Sequence, residues 1–228
     1  SKRAIVTGDF KLSTDATVDS FEHLTCDLLV METTFALPCY HWDCQKKVFE
    51  DIELFWKENQ KKGKNTVLYA YSLGKAQRLL AGLNSNIGPI AVHGAVELMN
   101  NIYKKHKRLK KLPQKLTKDY IDTWTTPGLI IAPPSTQGST WLRKCHPINE
   151  AYVSGWMHIK GQTRRRNMKG FALSDHADWA ECNKTVIQSK AKEVWTTHGY
   201  TDIFSKYLNQ MGIKSFPVNN INVQRSDN

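Results

Sequence analysis

Short, uninterrupted apolar segments alternate with segments of helical periodicity along most of the chain, and this alternation limits the folds open to it. Segments 66–71 and 128–132 are two of the apolar segments, and they are typical of strands buried on both faces. Segment 43–62 places Val48 and Ile52 on one helical face. Continuous apolar strands separated by helices predict parallel sheets covered on both sides. We therefore expect an α/β protein.

Length and composition are those of an ordinary globular protein. The chain has 228 residues, of which 40% are hydrophobic and 23% charged, which excludes a disordered, collagen-like or coiled-coil protein. No apolar segment approaches the roughly 20 residues that cross a bilayer, so we expect no membrane partner. Five cysteines without a Cys-x-x-Cys pair favour reduced thiols and a cytoplasmic location. The chain begins at Ser1 without Met or a signal-peptide leader, so we expect part of the parent protein to precede it.

The chain carries a large positive charge that favours a polyanionic partner. Lys and Arg exceed Asp and Glu by 32 − 21 = 11, and such an excess favours phosphate contacts in nucleic acids. The excess is concentrated in two clusters, although a solvated basic surface is the alternative interpretation of each. The first cluster contains Lys104, Lys105, Lys107, Arg108, Lys110, Lys111, Lys115 and Lys118. The second contains Arg164, Arg165 and Arg166, flanked by Lys160 and Lys169.

Four reactive side chains follow predicted strands. Asp9 and Glu32 end two early strands, and His176 and His198 follow two late ones. The carboxyl ends of strands are where reactive residues collect in open α/β folds. Carboxylates and imidazoles suit a divalent metal ion, and a carboxylate that orients an imidazole suits proton transfer. The alternative for each residue is an ordinary turn or surface loop.

Two turns between strands and helices carry possible phosphate ligands. Ser135 and Ser139 follow strand 128–132, and Lys75 ends the turn after strand 66–71. Backbone N–H groups, hydroxyls and an ammonium group at such turns can bind phosphate. The spacing of a P-loop is absent, so binding of nucleoside triphosphates is not predicted.

Several motifs together resemble the metallo-β-lactamase-fold nucleases of the β-CASP group. The first series is Thr7-Gly8-Asp9-Phe10, Met31-Glu32-Thr33-Thr34-Phe35, Ser174-Asp175-His176-Ala177-Asp178 and Thr197-His198-Gly199-Tyr200. Segments 69–78, 132–135, 152–157 and 171–179 are most similar to the bacterial ligase-associated DNA exonuclease branch, also described as an mRNA 3′-end processing exonuclease. The resemblance runs in one order from about residue 3 to about residue 215.

The resemblance implies a role for each of the four reactive residues. Asp9 matches the aspartate that bridges two zinc ions, and His198 matches a histidine that ligates one of them. Glu32 matches the acid that holds a histidine, and His176 matches that histidine, which contacts the scissile phosphate and protonates the leaving oxygen. The family's His-x-His-x-Asp-His motif is absent, because no two of the eight histidines are separated by a single residue. We therefore expect this chain to bind zinc poorly and to be inactive alone.

The resemblance also implies a domain organisation and a function. Residues 1–38 and 169–228 would form part of an αββα metallo-β-lactamase sandwich, and residues 39–168 an inserted β-CASP parallel α/β domain, with the active site between them. The implied activity is metal-dependent, exonucleolytic hydrolysis of DNA phosphodiester bonds, in repair alongside a DNA ligase. An RNA-processing ribonuclease and a non-catalytic nucleic-acid-binding module are the alternatives.

Overall fold

A computed structural model of the chain describes residues 2–109, 112–159 and 168–218. The predicted phosphate ligands Arg164, Arg165 and Arg166 therefore lie outside the described residues. The chain divides into two compact units, which are described separately. The first contains residues 1–13, 20–41 and 175–228. The second contains residues 14–19 and 42–174.

Strands and helices alternate through the described parts of the chain, as the sequence predicts for an α/β protein. The strands are β1 (Ala4–Val6), β2 (Leu28–Thr33), β3 (Asn65–Tyr69), β4 (Ile90–Val92), β5 (Gln114–Lys115), β6 (Leu129–Ala132), β7 (Ile148–Val153), β8 (Lys169–Phe171), β9 (Glu193–Gly199) and β10 (Lys214–Pro217). The α-helices are α1 (Gln45–Lys61), α2 (Lys75–Gly82), α3 (Gly94–Lys105), α4 (Lys118–Asp122), α5 (Trp179–Ser189) and α6 (Thr201–Gln210). Short 3₁₀ turns span Pro134–Thr136, Thr140–Cys145 and Gly155–His158.

The first unit is built on a four-stranded parallel sheet in the order β1-β2-β9-β10. Its two faces differ, because successive residues of a strand point to opposite sides. On one face, Leu29 and Met31 pack with Cys182 of α5 and Phe204 of α6. The other face carries a row of paired residues that crosses the whole sheet: Val6, Val30, Trp195 and Phe216. Val6 is 71% and Phe216 41% exposed, so the helices cover the opposite face.

The second unit is built on a six-stranded parallel sheet in the order β5-β4-β6-β3-β7-β8. Leu68 and Ile131 point to the face that α1, α2 and α3 cover. Val67, Ile130 and Tyr152 point to the other face, against α4 and the 3₁₀ turns. The central strands are thus buried on both faces, which explains why they read as continuous apolar segments. Parallel sheets with helical cover are the part of the predicted fold that the structure confirms.

Residues 107–118, a Lys-rich segment that contains Pro113, include regular structure in their described part. Gln114 and Lys115 form the edge strand β5, paired with Ala91 and Val92 of β4. Thr117 then caps α4, because its side chain accepts a hydrogen bond from the N–H of Tyr120 at 3.1 Å. A two-residue, polar edge strand of this kind leaves no periodic signal in the sequence.

None of the helices in residues 2–109, 112–159 and 168–218 combines the length and apolar character that a membrane crossing requires.

Candidate functional site

Three of the four reactive residues come together in the first unit. Nδ1 of His176 lies 3.2 Å from Oε1 of Glu32 and 3.9 Å from Oδ1 of Asp9. The side chain of Glu32 is 2% exposed, whereas that of Asp9 is 71% exposed. The imidazole therefore lies between a buried carboxylate and a carboxylate at the surface.

Backbone hydrogen bonds hold the segments that carry these side chains. Thr7, directly after β1, donates its N–H to the carbonyl of Val30 in β2 at 2.9 Å. The N–H of Ala177 donates to the carbonyl of Phe10, so the segments of His176 and Asp9 are joined by their main chains. The side chain of Asp178 caps α5 by accepting a hydrogen bond from the N–H of Glu181 at 2.9 Å. The loop that carries His176 therefore ends two residues after it.

The electrostatics of the pair favour a charged imidazole beside a charged carboxylate. Burial would raise the pKa of Glu32, but hydrogen bonds from His176 and from the N–H of Thr34 outweigh it and lower that pKa below its usual range. The hydrogen bond to Glu32 raises the pKa of His176, against the opposing effect of burial. Since an ionised carboxylate only accepts hydrogen bonds, Nδ1 of His176 is the donor in this pair.

Aromatic side chains and a buried thiol surround the pair. The ring of Phe35 meets the imidazole of His176 edge-on, with centroids 5.8 Å apart, and packs against Tyr40 at 4.8 Å. The hydroxyl of Tyr40 lies 3.3 Å from that of Tyr200. Burial, followed by the charge of Glu32, raises the pKa of Cys182, which keeps this thiol protonated. The sequence analysis did not single out Tyr40, because it lies in the irregular segment between β2 and α1, which carries no periodic pattern.

His198 lies at the carboxyl end of β9, beside the end of β2. The pairing of β2 with β9 shifts between Glu32 and Thr33, so that Thr33 pairs with Gly199. The hydroxyl of Thr33 donates to the carbonyl of His198 at 2.5 Å. His198 adopts a positive φ of 55°, which non-glycine residues rarely do. Its exposed ring has Nδ1 3.0 Å from the hydroxyl of Thr197.

The described residues alone do not fit the two zinc ions that the family resemblance implies. Within residues 2–109, 112–159 and 168–218, no group of three or more His, Cys, Asp or Glu side chains has an arrangement suited to a metal ion. A closed zinc site normally needs four ligands and a catalytic one at least three from the protein. Asp9 and His198 therefore supply at most part of such a site.

The other predicted ligands that the structure describes, Ser135, Ser139 and Lys75, lie in the second unit. Ser135 is exposed, and Oγ of Ser139 is buried without a hydrogen-bond partner among the described residues. Lys75 is only 3% exposed, and its ammonium donates to the carbonyl of Leu173 at 2.8 Å. This buried position differs from the phosphate contact that the sequence led us to expect, because the side chain connects the start of α2 to the segment after β8.

Comparisons with known proteins give a distant relative and a similar fold. No protein-family model matches the chain. The chain is 29% identical over 216 residues to an Opitutus terrae protein named "Probable DNA ligase". This match covers 94% of the chain but 21% of that protein, so the chain spans about a fifth of the relative's length.

A solved structure is similar in fold. It is the crystal structure of a protein of unknown function from Enterococcus faecalis, with a TM-score of 0.55 and 10% sequence identity. The similarity covers 94% of this chain and 56% of that one. At this level of identity the similarity concerns the fold alone.

Proposed function

We propose that this chain is part of a nuclease that hydrolyses phosphodiester bonds in DNA, with His176 as the general acid. The observation that carries the proposal is the contact of 3.2 Å between the buried carboxylate of Glu32 and Nδ1 of His176. A carboxylate that orients an imidazole is a common arrangement for proton transfer. The exposed carboxylate of Asp9, 3.9 Å from Nδ1 of His176, adds a second acidic group beside this pair.

The chemistry of the step follows from the ring. The carboxylate of Glu32 accepts a hydrogen bond from Nδ1–H. The second proton of the imidazolium is therefore on Nε2. In the proposed reaction a water oxygen bonds to phosphorus while the bond from phosphorus to the leaving oxygen breaks. His176 transfers the Nε2 proton to that leaving oxygen, and Glu32 stabilises the charged ring before the transfer. The attacking water keeps one proton on the oxygen now bonded to phosphorus and releases the other to solvent, from which Nε2 of His176 is protonated again. The raised pKa of His176 supports this role, because the ring must be protonated to act as an acid.

A metal requirement is part of the proposal, although the described residues do not complete a metal site. Asp9 and His198 would bind zinc together with ligands that this sequence lacks, which the His-x-His-x-Asp-His motif would provide. The proposal is accordingly that the activity belongs to the full-length protein and that this chain alone is inactive.

DNA is the proposed substrate, for two reasons. The net charge of +11 favours a polyanion, and the relative from Opitutus terrae is named for DNA ligation. An exonuclease that prepares DNA ends for a ligase in repair is consistent with both. RNA carries the same backbone charge, so the experiment includes both substrates.

The test measures hydrolysis of end-labelled DNA and RNA strands of matched sequence by the full-length protein, in wild-type form and as His176→Asn and Glu32→Gln variants. Loss of a general acid is expected to lower the rate by roughly 10²- to 10⁴-fold. The matched control is His106→Asn, an exposed histidine in the second unit, which should cleave like the wild type.

Two outcomes would contradict the proposal. Preferential cleavage of RNA would identify a ribonuclease instead. Binding of DNA without cleavage, unchanged by Asp9→Ala and His198→Ala, would identify a non-catalytic binding module.

A further inference from the structure

The sheet of the second unit has a switch point, where the chain leaves two neighbouring strands in opposite directions. From β4 the chain continues through α3 to the edge strand β5, whereas from β6 it continues to β7 on the far side of β3. Because β4 and β6 are adjacent and parallel, their carboxyl ends diverge at this point. Open α/β sheets bind ligands preferentially at such switch points.

His93 is the first residue after β4 and therefore lies at this switch point. Its N–H donates to the carbonyl of Ile131 in β6 at 3.0 Å. Its Nδ1 accepts a hydrogen bond from the N–H of Ala95 at 3.1 Å, so the neutral ring carries its proton on Nε2. The ring meets that of Trp141 edge-on, with centroids 4.8 Å apart. Nε2 of His93 is thereby fixed as a hydrogen-bond donor, while Nδ1 is the acceptor.

Two lysines from different elements converge on the same place. The ammonium of Lys144 lies 5.1 Å from the centre of the Trp141 ring and 3.5 Å from the carbonyl of Leu116. Leu116 directly follows Lys115, whose side chain passes within 3.3 Å of the position that a Cβ on Gly94 would take. Lys115 therefore lies over the residue next to His93, and Lys144 lies over the ring that His93 contacts.

The cluster has positive charge and no acidic partner in the described part of the chain. Neither Lys115 nor Lys144 forms an ion pair there, and Glu97 in the first turn of α3 pairs with neither. Burial, and then the charges of the two lysines, lower the pKa of His93. Like charges brought together are destabilising unless an anion joins them.

We propose that His93, Lys115 and Lys144 form a phosphate-binding site for a nucleic-acid strand at the carboxyl ends of β4 and β6. The two ammonium groups neutralise the phosphate, Nε2–H of His93 donates a hydrogen bond to it, and Trp141 holds His93 and Lys144 in place. The choice of nucleic acid as the source of the phosphate rests on the proposed function. The site lies within the second unit and shares no residue with the group proposed for catalysis.

The test measures binding of a 3′-labelled oligothymidylate by fluorescence anisotropy between about 50 and 200 mM salt. Lys115→Gln and Lys144→Gln should each weaken binding and reduce the slope of log K against log salt by about 0.7, the value for one phosphate contact on a single strand. Lys144→Arg keeps the positive charge, so it should retain the wild-type affinity and salt slope. The matched control is Lys57→Gln, an exposed lysine on α1, which should leave the slope unchanged.

A second arm compares oligothymidylate with and without a 5′-phosphate. If the two lysine variants remove an affinity gain due to the 5′-phosphate, the site binds a strand end. If they weaken both oligonucleotides equally, it binds an internal phosphodiester, and either result supports the site.

Unchanged affinity and slope in both variants, or an equal loss in Lys57→Gln, would overturn the site. Cleavage assays distinguish failure of the phosphate site from failure of the proposed function. If the protein does not cleave DNA but still shows lysine-dependent binding, the phosphate site stands and only the nuclease proposal is refuted.

Discussion

Glu32 and His176 are 144 positions apart in the sequence, yet their side chains form a hydrogen-bonded contact of 3.2 Å. The carboxylate is buried in β2, and the imidazole lies on the loop before α5. Each group shifts the pKa of the other in the direction that favours its charged form. The pair is therefore both a structural link within the first unit and a candidate proton donor.

The first prediction concerns the pH dependence of stability. The raised pKa of His176 gives stability that is complete below the unfolded value of about 6.5 and is lost as the pH rises through the folded value. The lowered pKa of Glu32 gives stability that is complete above about 4.3 and is lost as the pH falls through the folded value. Glu32→Gln should therefore destabilise the protein most between about pH 4.5 and 6.5.

This prediction is checked by urea unfolding across pH and by NMR titration of His176. The pKa of His176 should fall in Glu32→Gln, and about 1.5–3 kcal/mol of stability should be lost in the stated pH range. Glu193→Gln is the control, because Glu193 pairs with Lys214 at the edge of the same sheet. An unchanged His176 pKa in Glu32→Gln would contradict the pairing.

The second prediction concerns the close approach of Gly199 to Thr34. A Cβ at Gly199 would lie 2.4 Å from Cα of Thr34, and φ of Gly199 is +72°. Gly199→Ala should thus combine backbone strain with a clash, at a cost of about 2–5 kcal/mol in the free energy of unfolding. Gly212→Ala is the matched control, because Gly212 has a φ of +80° but nothing within 4 Å of an added Cβ. Equal losses in the two variants would show that the clash is relieved.

The third prediction concerns a buried ion pair in the second unit. Nε of Arg78 lies 3.7 Å from Oδ2 of Asp15, and their side chains are 4% and 3% exposed. Asp15→Asn removes the negative charge of Asp15 from the buried guanidinium, so the free energy of unfolding should fall by about 3–5 kcal/mol. Glu50→Gln, which breaks the exposed pair with Lys46, should cost at most about 1 kcal/mol. Chemical denaturation of both variants measures the difference, and a small loss for Asp15→Asn would refute it.

The fourth prediction uses two phenylalanines of the first unit to test which face of its sheet is the core. Phe204 is completely buried, whereas Phe216 is 41% exposed in the apolar row of the other face. Phe204→Ala should lower the free energy of unfolding by about 3–5 kcal/mol. Phe216→Ala should cost about 1 kcal/mol or less, as is usual for surface positions. Reversal of the two values in urea unfolding would mean that the core lies on the opposite face.

The fifth prediction concerns metal content. Since the sequence lacks the His-x-His-x-Asp-His motif, this chain should retain less than one equivalent of zinc after gel filtration in metal-free buffer. His198→Ala should reduce zinc uptake further, while His106→Ala should not change it. Elemental analysis gives the stoichiometry. Tight retention of one equivalent of zinc or more by the 228-residue chain would contradict the prediction.

Much of the fold was predictable because its signals are local. The central strands β3 and β6 are buried on both faces, so most of their residues are apolar and the pattern is visible in the sequence. Edge strands were less predictable. β5 has two exposed polar residues and β10 alternates in only four, so neither produces a periodic pattern long enough to recognise.

The sequence by itself determined the alternation of strands and helices and the positions of Asp9, Glu32, His176 and His198 at strand ends, because each of these follows from neighbouring residues. Only the tertiary structure decided that Lys75 is buried against a carbonyl and that Lys144 and His93 lie on the same indole ring. Such outcomes depend on which strands are adjacent in the sheet. That order is set by the packing of distant segments, and no local pattern of residues records it.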